Sequence, residues 1–151
     1  MARYNEVVRI FLVDDDEDDR LIFSEALNEV STRHEYREFR DGKELVDYFA
    51  DPENPLPHII FLDLNMPLMD GKETLAFLRN SPRFKEMSIA IFSSSDSDAD
   101  IEHTFVLGAN IFIRKPTGYE KLKKTIKAIV EMDWQYHDSK LNRETYFATF
   151  Q

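Results

Sequence analysis

The sequence predicts an α/β domain, a doubly wound parallel sheet of five strands flanked by five helices. Three observations carry that expectation. Short apolar runs alternate with longer segments of helical period along most of the chain. The run Ile59-Ile-Phe-Leu62 is apolar on both faces, as a central parallel strand covered on both sides must be. The residues just after the apolar runs are Asp14 to Asp16, Asp63, Ser93 and Lys115. In open sheets of this kind, sites form at the carboxyl ends of the strands.

Each element follows from local pattern. Val7 to Val13 is apolar except for Arg9 and reads as a buried strand. Asp16 to Val30 places Phe23, Ala26, Leu27 and Val30 at helical spacing. His34 to Phe39 is a weaker strand, and Asp41 can cap a helix bearing Leu45, Val46 and Phe49 on one face. Asp51-Pro-Glu-Asn-Pro-Leu-Pro57 breaks structure, because its prolines cannot continue a helix. The strand Ile59 to Leu62 then leads through a loop to a short helix, Lys72 to Arg79, with Leu75 and Leu78 inward. Ile89 to Phe92 is a strand, and Asp98 to Leu107 a helix closed by Gly108. Ile111 to Ile113 is the last predicted strand, followed by a helix over Tyr119 to Met132. Residues 1–132 thus form the domain, and 133–151 an aromatic-rich extension too short for a separate output domain.

Composition narrows the function classes. The chain has 151 residues, 42% hydrophobic and 32% charged, which suits a folded globular domain. Its 29 acidic and 19 basic side chains give a formal charge of −10, which should repel nucleic-acid phosphates and anionic lipid. The lack of cysteine removes disulfides, thiolate metal sites and Cys nucleophiles. The N-terminus lacks the apolar stretch of a signal peptide, and no span is long enough to cross a membrane, so the expected location is cytoplasmic.

Asp14, Asp15 and Asp63 would meet at one sheet edge. Carboxylates held that close need a hard cation or a raised pKa to coexist. Oxygen ligands alone favour Mg²⁺, which keeps places for water and phosphate oxygens. Ser93 offers a hydroxyl and Lys115 a point charge for a phosphoryl group. Asp63 can itself act as nucleophile and form an acyl phosphate.

These residues resemble the response-regulator receiver domain of two-component signalling. The resemblance runs from about Val8 to Met132 and rests on Phe-Leu-Val-Asp14-Asp15, Asp63-Leu-Asn65-Met66-Pro67, Ser93 and Lys115-Pro116. It implies a flavodoxin-like sheet of strand order 2-1-3-4-5. It implies Asp63 as phosphoacceptor, Asp15 near Mg²⁺, Asp14 acting on the metal through water, and Asn65 adding its backbone carbonyl. Ser93 would bond the phosphoryl oxygen, Lys115 would pair with it, and Phe112 would be the switch aromatic. The Lys115–Pro116 peptide would be cis. Ser93 departs from the commoner threonine, and Thr117-Gly118 after Pro116 suggests a looser start to the last helix. The Asp41 to Phe49 segment, the Leu-Asn-Met-Pro loop and the Trp134 tail look like a narrower subgroup. That subgroup comprises stand-alone receivers, often dimeric, that partner phytochrome-type sensor histidine kinases.

Competing readings are simpler. Asp16 to Asp19 suit an acidic helix N-terminus, where the dipole favours negative charge. His34, His58, His103 and His137 show no ligand spacing and read as surface residues. Asp14-x-Asp16-x-Asp18 mimics the nucleophile motif of haloacid-dehalogenase-type phosphatases, and a receiver-like module could dock partners without being phosphorylated. The full set Asp14, Asp15, Asp63, Ser93 and Lys115 favours a phosphoacceptor that signals by protein contact rather than an enzyme. Its expected donor is a sensor histidine kinase or phosphotransfer protein. The tail aromatics Trp134, Tyr136, Tyr146, Phe147 and Phe150 either pack on the domain's own helices or lie across a second copy or another partner.

Overall fold

The computed structural model describes residues 7–132 and 146–148. The elements run β1 (Val8–Val13), α1 (Glu17–Asn28), β2 (His34–Phe39), α2 (Gly42–Phe49), β3 (Ile59–Leu62), α3 (Gly71–Asn80), β4 (Ser88–Ser93), α4 (Asp98–Leu107), β5 (Ile111–Arg114), α5 (Tyr119–Val130) and β6 (Phe147–Ala148). All strand pairings are parallel, in the order β2-β1-β3-β4-β5-β6. The expected order 2-1-3-4-5 holds. A sixth, two-residue strand from the C-terminal segment adds to the β5 edge, pairing Phe147 with Phe112 and Ala148 with Ile113. Alternation had ended at α5, so periodicity gave no sign of it.

Two apolar layers sandwich the sheet. On one face Phe23, Ala26 and Leu27 of α1 meet Leu122, Ile126 and Ile129 of α5 over Ile10, Leu12, Phe61 and Phe92. On the other face Leu45 and Phe49 of α2 and Leu75 and Leu78 of α3 cover Phe11, Val13, Ile60, Leu62 and Ile91. β3 and β4 are buried along their whole length, which is why they read as unbroken apolar runs. β2 is an edge strand with largely exposed side chains, which explains its weaker pattern.

Caps set the helix starts. Asp16, Asp41, Asp70 and Ser97 each accept a backbone N–H from the first turn of α1, α2, α3 and α4. At α3 the cap is reciprocal: Glu73 Oε1 accepts from Asp70 N while Asp70 Oδ1 accepts from Glu73 N. Gly118, the expected loose point, precedes α5 with φ 96° and no side-chain cap. The Lys115–Pro116 peptide is trans, correcting the expected cis bond; trans is the intrinsically favoured X–Pro isomer. His58 is also not a free surface residue, since its Nδ1 accepts the Arg9 N–H at 2.9 Å. Trp134, Tyr136, His137 and Phe150 lie outside the described residues.

Candidate functional site

β1 and β3 lie side by side, and the chain leaves both at their carboxyl ends, where the strand order reverses. Asp63 N donates to Val13 O, so the residues following the two strands are held at one level. Asp14, Asp15 and Asp63 thereby bring carboxylate oxygens within 4.8 Å of one another. Asp14 and Asp63 are buried and Asp15 is exposed, which makes a half-open acidic cup. An all-oxygen donor set of this kind fits a hard divalent ion.

Among the described residues, Lys115 is the cation paired with the carboxylates of the cup. Lys115 follows β5, and its backbone N–H donates to Ser93 O at 2.8 Å, which ties the ends of β4 and β5 together. Its Nζ lies 2.8 Å from Asp14 Oδ2 and 3.6 Å from Asp63 Oδ2. Burial pushes the Asp63 carboxyl up to about 6; Lys115 counters this, while Asp14 and Asp15 reinforce it. Burial likewise raises Asp14 against hydrogen bonds from Lys115 and the Asp16 N–H. Burial disfavours the Lys115 cation, yet its hydrogen bonds to Asp14 and Asp19 outweigh that and raise its pKa. Three carboxyl groups of the cup thus cluster around a single lysine ammonium that pairs with two of them.

Ser93 is fully buried at the end of β4, where its Oγ accepts the Ser95 N–H at 3.1 Å. Asn65 is exposed two residues beyond Asp63, on the loop between β3 and α3. The path of that loop is set by Gly71, whose N–H donates to Leu64 O at 2.9 Å. A Cβ at Gly71 would stand 2.2 Å from Asp63 O, so only glycine lets α3 start this close to the site. Phe112 is fully buried in the layer holding α2 and α3, and the Tyr146 ring meets it at 6.2 Å.

Sequence reasoning missed several participants. Asp19, expected only as part of an acidic helix N-terminus, has an Oδ2 2.8 Å from Lys115 Nζ. Arg20 is buried, and its Nη1 donates to Asp14 O at 2.7 Å while Nε reaches Glu38 at 3.3 Å. The signal was present: Arg20 stands on the helical stripe of Phe23 and Leu27, where a charge must have partners. Tyr146 was noted only as one of several tail aromatics. It is fully buried, its OH donates to Thr104 Oγ1 at 2.7 Å, and its ring meets Phe105 edge-on at 5.2 Å.

Asp14, the nucleophile of the phosphatase reading, has both carboxylate oxygens engaged. Its Oδ1 accepts the Asp16 N–H and its Oδ2 the Lys115 ammonium. Asp63 binds one backbone N–H, that of Leu64, through Oδ1, while Oδ2 faces the lysine.

Comparison with known proteins agrees with this geometry. Residues 10–127 match the response regulator receiver domain. Response regulator Rcp1 of Synechocystis sp. is 30% identical over 124 residues, covering 80% of this chain and 84% of Rcp1. The Mn²⁺-bound crystal structure of Rcp1 superposes with a TM-score of 0.74 at 25% identity, over 89% of this chain and 97% of Rcp1. The phosphorylated cyanobacterial phytochrome response regulator RcpA gives a TM-score of 0.77 at 31% identity, over 90% of this chain and 97% of RcpA. A probable methanogenesis regulatory protein, FilR2 of Methanothrix harundinacea, is 30% identical over 125 residues, 81% of each chain. With acidic cup, lysine and buried hydroxyl at four strand ends of a 2-1-3-4-5 sheet, the chain belongs to the receiver-domain family of two-component response regulators.

Proposed function

We propose that Asp63 is the residue phosphorylated in this response regulator, and that the ion held by Asp14, Asp15, Asp63 and the Asn65 carbonyl is Mg²⁺. The observation that carries the reading is a buried Asp63 carboxylate facing the Lys115 ammonium inside an oxygen-only acidic cluster. In the transfer, an Asp63 carboxylate oxygen forms the new O–P bond as the N–P bond of a donor phosphohistidine breaks. The imidazole leaves with the electron pair and takes up a proton. Mg²⁺ supplies charge neutralisation for the carboxylates and the phosphoryl oxygens. Lys115 pairs with the new anion, Ser93 donates its hydroxyl to a phosphoryl oxygen, and Phe112 repacks as the hydroxyl moves.

The donor in this reading is a sensor histidine kinase of the phytochrome type or a phosphotransfer protein, met in the cytoplasm. Similarity to RcpA supports the kinase class. The exposed Leu21 and Ile22 of α1 support a protein donor, since they leave apolar surface open to a partner and Ile22 lines a cavity shared with Lys115. Output passes through the face made by α4, β5 and α5. The C-terminal segment belongs to that face through Tyr146 and serves as an extension of the receiver, in an assembly of two copies. Labelling with acetyl phosphate tests the chemistry: wild type should gain one phosphoryl group in Mg²⁺, and Asp63→Asn none. Labelling that persists in Asp63→Asn would place the acceptor elsewhere. Light scattering of the full chain tests the pairing of copies.

A further inference from the structure

Lys115 is shared unequally among three carboxylates. Its Nζ is 2.8 Å from Asp14 Oδ2, 2.8 Å from Asp19 Oδ2 and 3.6 Å from Asp63 Oδ2. The first two are hydrogen bonds and the third is too long for one. Asp19 stands apart from the ion-binding cluster, which comprises Asp14, Asp15 and Asp63. It is nevertheless held in place, because Asp16 Oδ1 accepts the Asp19 N–H at 3.1 Å and fixes the first turn of α1. Asp19 and Lys115 together line a cavity of about 260 Å³ with Ile22, Phe92, Pro116 and Tyr119. The lysine side chain is 15% exposed and that of Asp19 42% exposed, so the contact sits at the mouth of the site rather than in free solvent.

We propose that Asp19 is a positioning residue that tethers the Lys115 ammonium on the α1 side of the site while Asp63 is unmodified. To pair with a phosphoryl group on Asp63, the ammonium must loosen its hold on Asp19. This rests on Asp63 being the phosphoacceptor and Lys115 its cation. Two negative centres then compete for one ammonium, the Asp19 carboxylate before transfer and the more highly charged phosphoryl group after it. Asp19 thereby sets how much of the lysine's attraction reaches the phosphoryl group. The side chain is a poor candidate for a purely structural role, since its partner is the catalytic lysine itself.

The test uses beryllofluoride with Mg²⁺ on the full chain, with affinity read by calorimetry. Asp19→Asn should bind beryllofluoride more tightly than wild type, by about two- to fivefold, the range expected for one partly exposed ion pair. Asp18→Asn is the control: it removes the same charge from the same turn, where Asp18 is exposed. It should have clearly less effect than Asp19→Asn. Asp19→Glu, which restores a carboxylate with longer reach, should return affinity toward wild type. In a Lys115→Ala background the Asp19→Asn gain should vanish. Equal gains in Asp18→Asn and Asp19→Asn, a gain that survives in Lys115→Ala, or weaker binding in Asp19→Asn would each overturn the tether. Failure of the underlying reading looks different, because Asp63→Asn would then still bind beryllofluoride.

Discussion

Burial of a carboxylate costs solvation, and at Asp63 the Lys115 ammonium offsets only part of that cost, which leaves the carboxyl at about 6. This lies above the ordinary value of 3.8, so the native state binds the proton more tightly than the unfolded chain does. The resulting stabilisation is fully present below pH 3.8 and is lost as pH rises through about 6. In metal-free buffer at pH 8, Asp63→Asn should therefore be more stable than wild type, on the order of 1–3 kcal/mol, with the gap narrowing toward pH 4. Urea denaturation with a chelator at both pH values checks this. Proton and divalent ion compete for the same oxygens, so Mg²⁺ affinity should also fall as pH drops below about 6. Equal stability of the two proteins at pH 8 would mean that Asp63 bears no electrostatic load.

The start of α3 and the contact between α4 and the C-terminal segment are the elements on which the site leans. A Cβ at Gly71 would collide with the backbone of Asp63 and Leu64, so Gly71→Ala must push the loop outward. Stability should fall by about 1–3 kcal/mol, as for other overpacked positions, and beryllofluoride affinity should fall with it. An intact affinity would show that the loop can yield without moving Asp63. Tyr146 splits into two measurable parts. Tyr146→Phe removes only the hydrogen bond to Thr104 and should cost about 1 kcal/mol. Tyr146→Ala also empties a fully buried ring site and should cost about 3–5 kcal/mol. Chemical denaturation followed by circular dichroism distinguishes them. A cost near zero for Tyr146→Ala would detach the segment from the core.

At the scale of the molecule, charge explains how ion binding and folding are linked. Three clustered carboxylates in a chain of net charge −10 repel one another until a cation is bound. Mg²⁺ at a hundred times its Kd should stabilise the wild type by about 2.7 kcal/mol, and Asp15→Asn should lose most of that gain in a thermal melt. The strand and helix plan was legible in the sequence because buried parallel strands and capped helices are written locally, as Ile59 to Leu62 and Asp70-Gly71 show. What escaped was long-range. Asp19 meets Lys115 across 96 positions of sequence, and Tyr146 meets Thr104 across 42. Arg79, which the sequence marked only as the end of a short helix, donates to the carbonyls of Gly108 and Met87 and to Asn110 Oδ1. No periodicity encodes such pairs, because they depend on which loops the topology brings together. The pairing of β6 with β5 also bears on how the molecule can be cut. Deleting residues 133–151 would uncover peptide groups along the outer rim of the sheet and create an adhesive border absent from the intact chain. Self-association of such a shortened protein would report on the new border, so single replacements at Tyr146 are the cleaner way to ask what the tail contributes.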